Sequence, residues 1–271
     1  AESFDRAGVG RALRARHTFA TTGERSLAVL RLGEHLMGDV LTVNGETALD
    51  YRLLGDAGWE QIELFRGEQR IWSRNLHAEA GLSPRRIRLR LGGARIKDRY
   101  RGAYWTGEIS LTGATINAFR FIGADHPEQV AWRKDATTLA LKTDTNGDTD
   151  SLEIDISQLA GAHLNVQLRI DGYVKVGDPL TPPAHVHAPT VTLHLSGEEL
   201  LASGSFVKPL SGAELQVSLE QISEAPLPRE VAGRIELNSL SLEKGREHPL
   251  FISARQRDQS RVWTSALFVT L

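Results

Sequence analysis

Arg86-Ile87-Arg88-Leu89-Arg90-Leu91 alternates without a break, three arginines against three aliphatics. A period of two is the signature of a β-strand, because successive side chains point to opposite faces. The pattern predicts a strand with Arg86, Arg88 and Arg90 on a wet face and Ile87, Leu89 and Leu91 on a buried one. Outward from it the texture persists. Residues 26–32, 49–54, 61–65, 107–111, 114–121, 139–143 and 152–156 read as short strands, as do 164–170, 190–195, 213–219, 231–237, 250–255 and 262–269. Asn44-Gly45, Asn146-Gly147, Asp171-Gly172 and Ser211-Gly212 supply turns between them. Many short strands with recurring turn signals point to β-sandwiches. These segments outnumber the roughly seven to nine strands of one sandwich, so two packed β units are expected. Residues 4–17 read as a short helix, with Ala7, Ala12 and Ala15 as good formers and Arg11, Arg14 and Arg16 near its C-terminal end. The fold class is therefore mainly β: two packed β-sandwich-like units preceded by one short N-terminal helix. A boundary falls near residues 124–131. The Pro-rich stretch 177–189 is the other candidate for that boundary, or a long connection inside the second unit.

The 271 residues are 41% apolar and 24% charged, an ordinary globular composition that argues against disorder. The absence of cysteine excludes disulfides, thiolate metal sites and a cysteine nucleophile, without fixing the compartment. A formal charge of −2 argues against nucleic acid as a general partner. The apolar stretch Val262–Leu271 falls well short of the roughly 20 residues a membrane-spanning helix needs. The sequence opens Ala1-Glu2-Ser3-Phe4, without an initiator Met or a signal-peptide pattern, which reads as a piece of something longer or a processed product.

Four groups of residues could carry chemistry. The run Arg85–Arg101 holds eight basic residues and one acid, Asp98. Guanidinium forks suit phosphate or carboxylate, so Arg95, Arg99 and Arg101 are candidates for an anion site beside Gly92-Gly93. The other reading is a charged strand face neutralised by acids elsewhere, since arginine supplies 26 of the 32 basic residues. Asp144, Asn146, Asp148 and Asp150 alternate as hard oxygen donors, with Asp155 at the twelfth position, and partly match a calcium loop. Thr149 stands where that loop has Gly, and Asp155 where it has Glu; a polar hairpin turning at Asn146-Gly147 fits the same residues. His185 and His187, with His194 further on, are either metal ligands or part of a surface connection. Tyr104 and Trp105 could stack on a ligand, although tryptophan in a strand commonly serves a core. Neither a nucleophile elbow, nor a phosphate-binding loop, nor a dinucleotide fingerprint is present.

Several segments resemble a known family. Ala12–Arg25 (ALRARHTFATTGER) looks like the stretch that closes the metal-binding barrel in PHP-type (polymerase and histidinol phosphatase-like) proteins, nearest to the bacterial DUF3604-related group. Leu36-Met37-Gly38-Asp39 resembles the segment that follows, and Ile62–Glu68 (IELFRGE) resembles the β-rich unit beyond it. Leu91–Arg101 with Trp105-Thr106-Gly107, and the closing Ala254–Ala266, resemble later stretches of the same group, with Leu91, Gln259, Thr264 and Ala266 departing from its usual residues. In that family the metal ligands lie upstream of the segment matching Ala20-Thr21-Thr22-Gly23. No catalytic residue is therefore carried over, and His185-Val186-His187 comes too late to be the family's early His-x-His pair.

The resemblance implies a C-terminal, non-catalytic portion of a PHP-type hydrolase-like protein. Residues 1–24 would be the helical tail of an upstream catalytic barrel, with 25–125 and 126–271 as the two β units. The barrel would be the partner and would hold the divalent metal. A stand-alone β-sandwich binding carbohydrate or another polar ligand through Tyr104 or Trp105 is the alternative. An enzyme assembled from Asp144, Asp148, His185 and His187 is a third reading.

Overall fold

The computed structural model describes residues 3–43, 45, 47–93, 102–173, 190–210 and 215–271. It opens on α1 (Arg6–Arg14), capped by the Asp5 carboxylate, which accepts the Gly8 N–H at 2.6 Å. The helix stops short of the expected residue 17 because Arg16 turns the chain with a left-handed φ of 58°. Seven strands follow: β1 (Phe19–Thr21), β2 (Leu27–Leu32), β3 (His35–Leu36), β4 (Val40–Thr42), β5 (Ala48–Leu54), β6 (Trp59–Arg66) and β7 (Gln69–Asn75). One helical turn, α2 (Leu76–Glu79), leads into β8 (Leu82–Gly92), β9 (Gly102–Thr112), β10 (Ile116–Ile122), β11 (Val130–Arg133) and β12 (Thr138–Thr145). Next come β13 (Thr149–Ile156), β14 (His163–Tyr173), β15 (Thr190–Ser196), α3 (Gly197–Ser203), β16 (Ser205–Pro209) and β17 (Gln216–Ser223). The chain ends with β18 (Glu230–Glu236), β19 (Glu247–Gln256), β20 (Arg261–Thr264) and β21 (Leu267–Thr270).

The architecture is mainly β and sandwich-like, in two compact units. Ala1–Ala80 and Ala225–Leu271 form one; Gly81–Glu224 forms the other, inserted between them. The expected division at residues 125 and 126 lies inside the inserted unit, between β10 and β11. The reason is non-local pairing: β18 returns to β5 and β19 returns to β6, which local periodicity does not reveal. The Pro-rich stretch lies outside the described residues, and the strands on either side of it, β14 and β15, pair antiparallel in one sheet.

The first unit sets a four-stranded sheet, β18-β5-β2-β3, against a seven-stranded one. In the larger sheet β19 pairs with β6 on one side and with β20 and β21 on the other; β21 and β4 run parallel. Inward residues of both sheets make its core, including Leu30, Leu53, Trp59, Ile62, Leu64, Ile252 and Val262. The Trp59 indole N–H is satisfied by the Arg229 carbonyl at 3.1 Å.

The second unit has two five-stranded sheets, β10-β13-β8-β17-β16 and β11-β12-β9-β14-β15. Ile87, Leu89 and Leu91 of β8 meet Trp105 and Ile109 of β9 in its core. The opposite face of β8 departs from expectation. Arg88 is 0% exposed and Arg90 7%. This strand is central, and its neighbours place carboxylates in register: Asp155 opposite Arg86, and Glu153 and Glu220 on either side of Arg88. The predicted wet face is thus a ladder of ion pairs, buried at Arg88 and Arg90 and partly exposed at Arg86, closed in where each charge meets its opposite.

Candidate functional site

The acidic loop sits where β12 of one sheet hands over to β13 of the other, so it is an inter-sheet connection rather than a hairpin. Gly147 donates its N–H to the Gly93 carbonyl at 2.7 Å, and the Asp148 carbonyl accepts from Gly93 N–H at 3.2 Å. The side chains that were candidates for calcium are tied to the loop itself. His126 Nε2 lies 2.8 Å from Asp144 Oδ1, and Gln129 Nε2 donates to the same carboxylate at 3.1 Å. Asp148 accepts the Asn146 N–H at 2.6 Å, and Asn146 Nδ2 donates to Asp144 Oδ2 at 3.2 Å. Asp155, the would-be twelfth ligand, is held by Arg86 Nε at 2.7 Å. Among the described residues, no group of three or more His, Asp or Glu is arranged to hold a metal ion.

Asp150 stands apart from this turn. It is 0% exposed and accepts a hydrogen bond from Thr143 Oγ1, while its Oδ1 has no hydrogen-bond partner. Burial pushes its pKa up to about 8; the Thr143 hydrogen bond opposes that, and the charges of Asp148, Asp125 and Asp144 add to it. A pKa so raised favours the neutral acid at pH 7.

The basic run divides in two. Arg95, Arg99 and Arg101 lie outside the described residues, as do His185 and His187. Its strand half is committed to carboxylates: Arg86 to Asp155 at 2.7 Å, Arg88 to Glu153 at 2.7 Å, and Arg90 to Glu220 at 2.6 Å. These arginines therefore offer no open anion site. His194 lies in β15, opposite Asn165 of β14.

Of the two stacking candidates, Trp105 is core. It is 0% exposed and its indole N–H donates to Thr145 Oγ1 at 2.9 Å. Tyr104, its neighbour on the other face of β9, is 54% exposed. From the sequence all five tryptophans are candidates for stacking, with a core role the commoner one, and Trp132 is the one that stands exposed. It is 47% exposed and lies on β11, a four-residue edge strand too short to show a period. Beside it a groove of about 460 Å³ runs over the outer face of its sheet, lined by Thr106, Glu108, Trp132, Lys142, Gln167 and Arg169 among others.

A second arrangement in the first unit joins two neighbouring stretches, at residues 16–18 and 36–39, to the distant Ser265-Ala266. Arg16 donates from Nε and Nη2 to the Gly38 carbonyl, at 3.0 and 2.8 Å, and its guanidinium lies over the Phe268 ring. His17 Nε2 lies 2.8 Å from Asp39 Oδ1, and Leu36 N–H donates to Asp39 Oδ2 at 2.9 Å. Burial works against the Asp39 carboxylate, but the His17 and Leu36 hydrogen bonds prevail and hold its pKa below the usual range. Thr18 meets Ser265 through both hydroxyls and through Ser265 N–H to Thr18 carbonyl, each at 3.0 Å. Gly38 closes the latch, donating to the Ala266 carbonyl at 2.8 Å. Its φ of 104° and the closeness of the Ala15 carbonyl admit no side chain there.

No family model matches the chain, and no curated protein matches it. A solved structure, the N-terminal periplasmic domain of ScsB from Proteus mirabilis, is 8% identical over 93% of this chain and 99% of that one. Its TM-score is 0.15, and at that level the likeness carries no argument about fold or function.

Proposed function

We propose that this chain is a non-catalytic accessory β region at the C-terminal side of a PHP-type, metal-dependent phosphoesterase-like protein. Its role would be to buttress the catalytic barrel and shape access to it. The observation that supports the reading is the latch. Of the three stretches resembling that family, Ala12–Arg25 and Leu36–Asp39 lie close in sequence and Ala254–Ala266 lies more than 200 residues on, yet all three converge on Arg16, Gly38, Asp39 and Ser265. What these segments share is a structural joint that fixes the chain leading into the first sandwich. The joint contains the Arg16 guanidinium, backbone carbonyls, hydroxyls and the Asp39 carboxylate with His17 at 2.8 Å and His35 at 3.9 Å, and among the described residues no group is arranged to hold a metal ion. The metal that the resemblance implies does not fit the described residues of this chain, so no chemical step is assigned to them.

The test is hydrolysis of bis(p-nitrophenyl) phosphate with Mn²⁺. The 271-residue chain alone is expected to be inactive. The polypeptide encoded by the upstream reading frame, carrying a His-x-His and a later Asp-x-His, is expected to be active. Metal-dependent hydrolysis by the chain alone, or an initiator codon immediately before Ala1, overturns the reading.

A further inference from the structure

The outer face of the β11-β12-β9-β14-β15 sheet carries a second, independent feature. Of the five tryptophans, Trp59 and Trp105 are fully buried, Trp72 packs on the first unit's core and Trp263 is partly covered. Trp132 alone among them is exposed, at 47%. Strand register sets it in a row. Trp132 faces Ala140 of β12, Ala140 faces Glu108 of β9, and Glu108 faces Gln167 of β14. The next row, reading the same way, is Val130, Lys142, Thr106 and Arg169. Neighbouring strands lie roughly 4.8 Å apart, so three steps from Trp132 to Gln167 span about 14 Å. Ala140 offers only a methyl beside the indole, which leaves the flat ring standing at one end of the groove.

Charge narrows the occupant. Each charged side chain of the groove has an opposite neighbour: Glu108 with Lys134 at 2.7 Å, Arg169 with Asp171 at 3.1 Å, and Lys142 with Glu128 at 4.0 Å. Three cations balance three anions, so the face offers no net field to a phosphate or a polyanion. Geometry narrows it again. The face of a sheet presents side chains, because its backbone N–H and C=O groups are spent on neighbouring strands. An extended peptide would find no main-chain partners there. What remains is a ligand with an apolar flat side for the indole and a rim of hydroxyls for amide, carboxylate and hydroxyl partners. A volume of about 460 Å³ is within the usual range for small-ligand sites.

We propose that this groove binds a neutral oligosaccharide, with one sugar ring stacked on Trp132 and the next hydrogen-bonded by Glu108 and Gln167. The proposal does not rest on the accessory reading of the chain.

The experiment is calorimetric titration of the 271-residue chain with cellohexaose, xylohexaose, maltohexaose and chitohexaose. At least one is expected to bind, with an affinity unchanged between about 0.05 and 0.5 M NaCl. Trp132→Ala should weaken that binding by about tenfold or more, and Trp132→Phe by less, since a smaller aromatic face remains. Gln167→Ala should weaken it independently. Both side chains face outward, so circular dichroism and melting should be unchanged. No binding by any of the four sugars at millimolar concentration overturns the proposal. So does sugar binding that survives Trp132→Ala, or salt-sensitive capture of heparin in place of the sugars.

Discussion

Replacing Glu153 by Leu tests whether the arginines of β8 are structural. Arg88 is 0% exposed and Glu153 4%, and Arg88 Nη2 lies 2.7 Å from Glu153 Oε1. With charge centres about 4 Å apart, their attraction is about 4 kcal/mol at an effective dielectric near 20. Desolvating the two ions costs several kcal/mol each, so the pair is close to break-even against an apolar pair of the same shape. Breaking it is another matter. Glu153→Leu leaves a buried guanidinium with its longer contact to Glu220, at 3.7 Å, as a remaining carboxylate partner. The expected loss is about 3–5 kcal/mol, a hundred- to several-thousand-fold shift in the unfolding equilibrium. The double variant Arg88→Met with Glu153→Leu should recover to within ~1 kcal/mol of the parent. Hydrogen exchange of the β8 amides across a urea series reads the inserted unit specifically. An exposed pair is the control: Arg52 and Glu230 are 60% and 57% exposed, and Glu230→Gln should cost no more than about 1 kcal/mol. The ladder account is refuted if Glu153→Leu costs as little as the control, or if the double variant is no more stable than the single one.

Two further outcomes are expected. Gly38→Ala should destabilise the fold more than Gly23→Ala, by an extra ~1 kcal/mol or greater read from thermal melts; both glycines have positive φ, but only the Gly38 methyl would strike the Ala15 carbonyl, and equal losses would remove the latch. Asp150 titrates near pH 8 when folded against about 3.9 when unfolded, so the folded chain holds the extra proton between those values. Its contribution to stability is complete below about pH 4 and is lost as the pH rises towards and past 8. Asp150→Asn should therefore flatten the decline of stability between pH 5 and 8.5, measured by denaturant titration at each pH. Parallel curves for parent and variant would show that Asp150 ionises normally.

Much of the fold was legible because most strands are long enough to show a period. Residues 49–54, 86–91 and 164–170 all lie within observed strands. The edge strands β1, β3, β4 and β11 have two to four residues each, and no period exists at that length. Residues 262–269 read as one strand but break at Ser265-Ala266, where the chain passes from pairing with β1 to pairing with β4. One helix was readable and overlooked. Ser196-Gly197-Glu198-Glu199 is a capping box, and Ser196 and Glu199 cap each other in α3. The sites were less legible. Alternation showed that Arg88 faced away from the core but not that Glu153 and Glu220 would lie beside it, since cross-strand neighbours are a property of topology. The same holds for the latch, where Thr18 and Ser265 are 247 residues apart.

The ladder also bears on how the inserted unit finds its register. Sliding β17 by one residue along β8 would turn the aliphatic side of the sheet outward, which the core forbids. Sliding it by two preserves the faces, so hydrophobic burial alone does not prevent it. Charge does. Arg88 faces Glu220, and two residues away on the same side of β17 stand Ser218 and Ile222. Either slip would place a hydroxyl or an aliphatic chain beside a buried cation in place of a carboxylate. On the other flank a slip of β13 in one direction would exchange Glu153 for Ser151. A β17 slip removes the 3.7 Å Glu220 contact while Glu153 stays at 2.7 Å, so it costs less than the β13 slip, whose penalty is of the order of the 3–5 kcal/mol expected for Glu153→Leu. That is a large fraction of the ~5–15 kcal/mol that holds a typical domain together. Arginine on a central strand thus acts here as a register device, and it meets the specificity role of buried ion pairs better than it would serve as a landing place for an anion. The fixed register of β8 with β13 in turn places Gly93 against Gly147 and sets the acidic connection between the sheets.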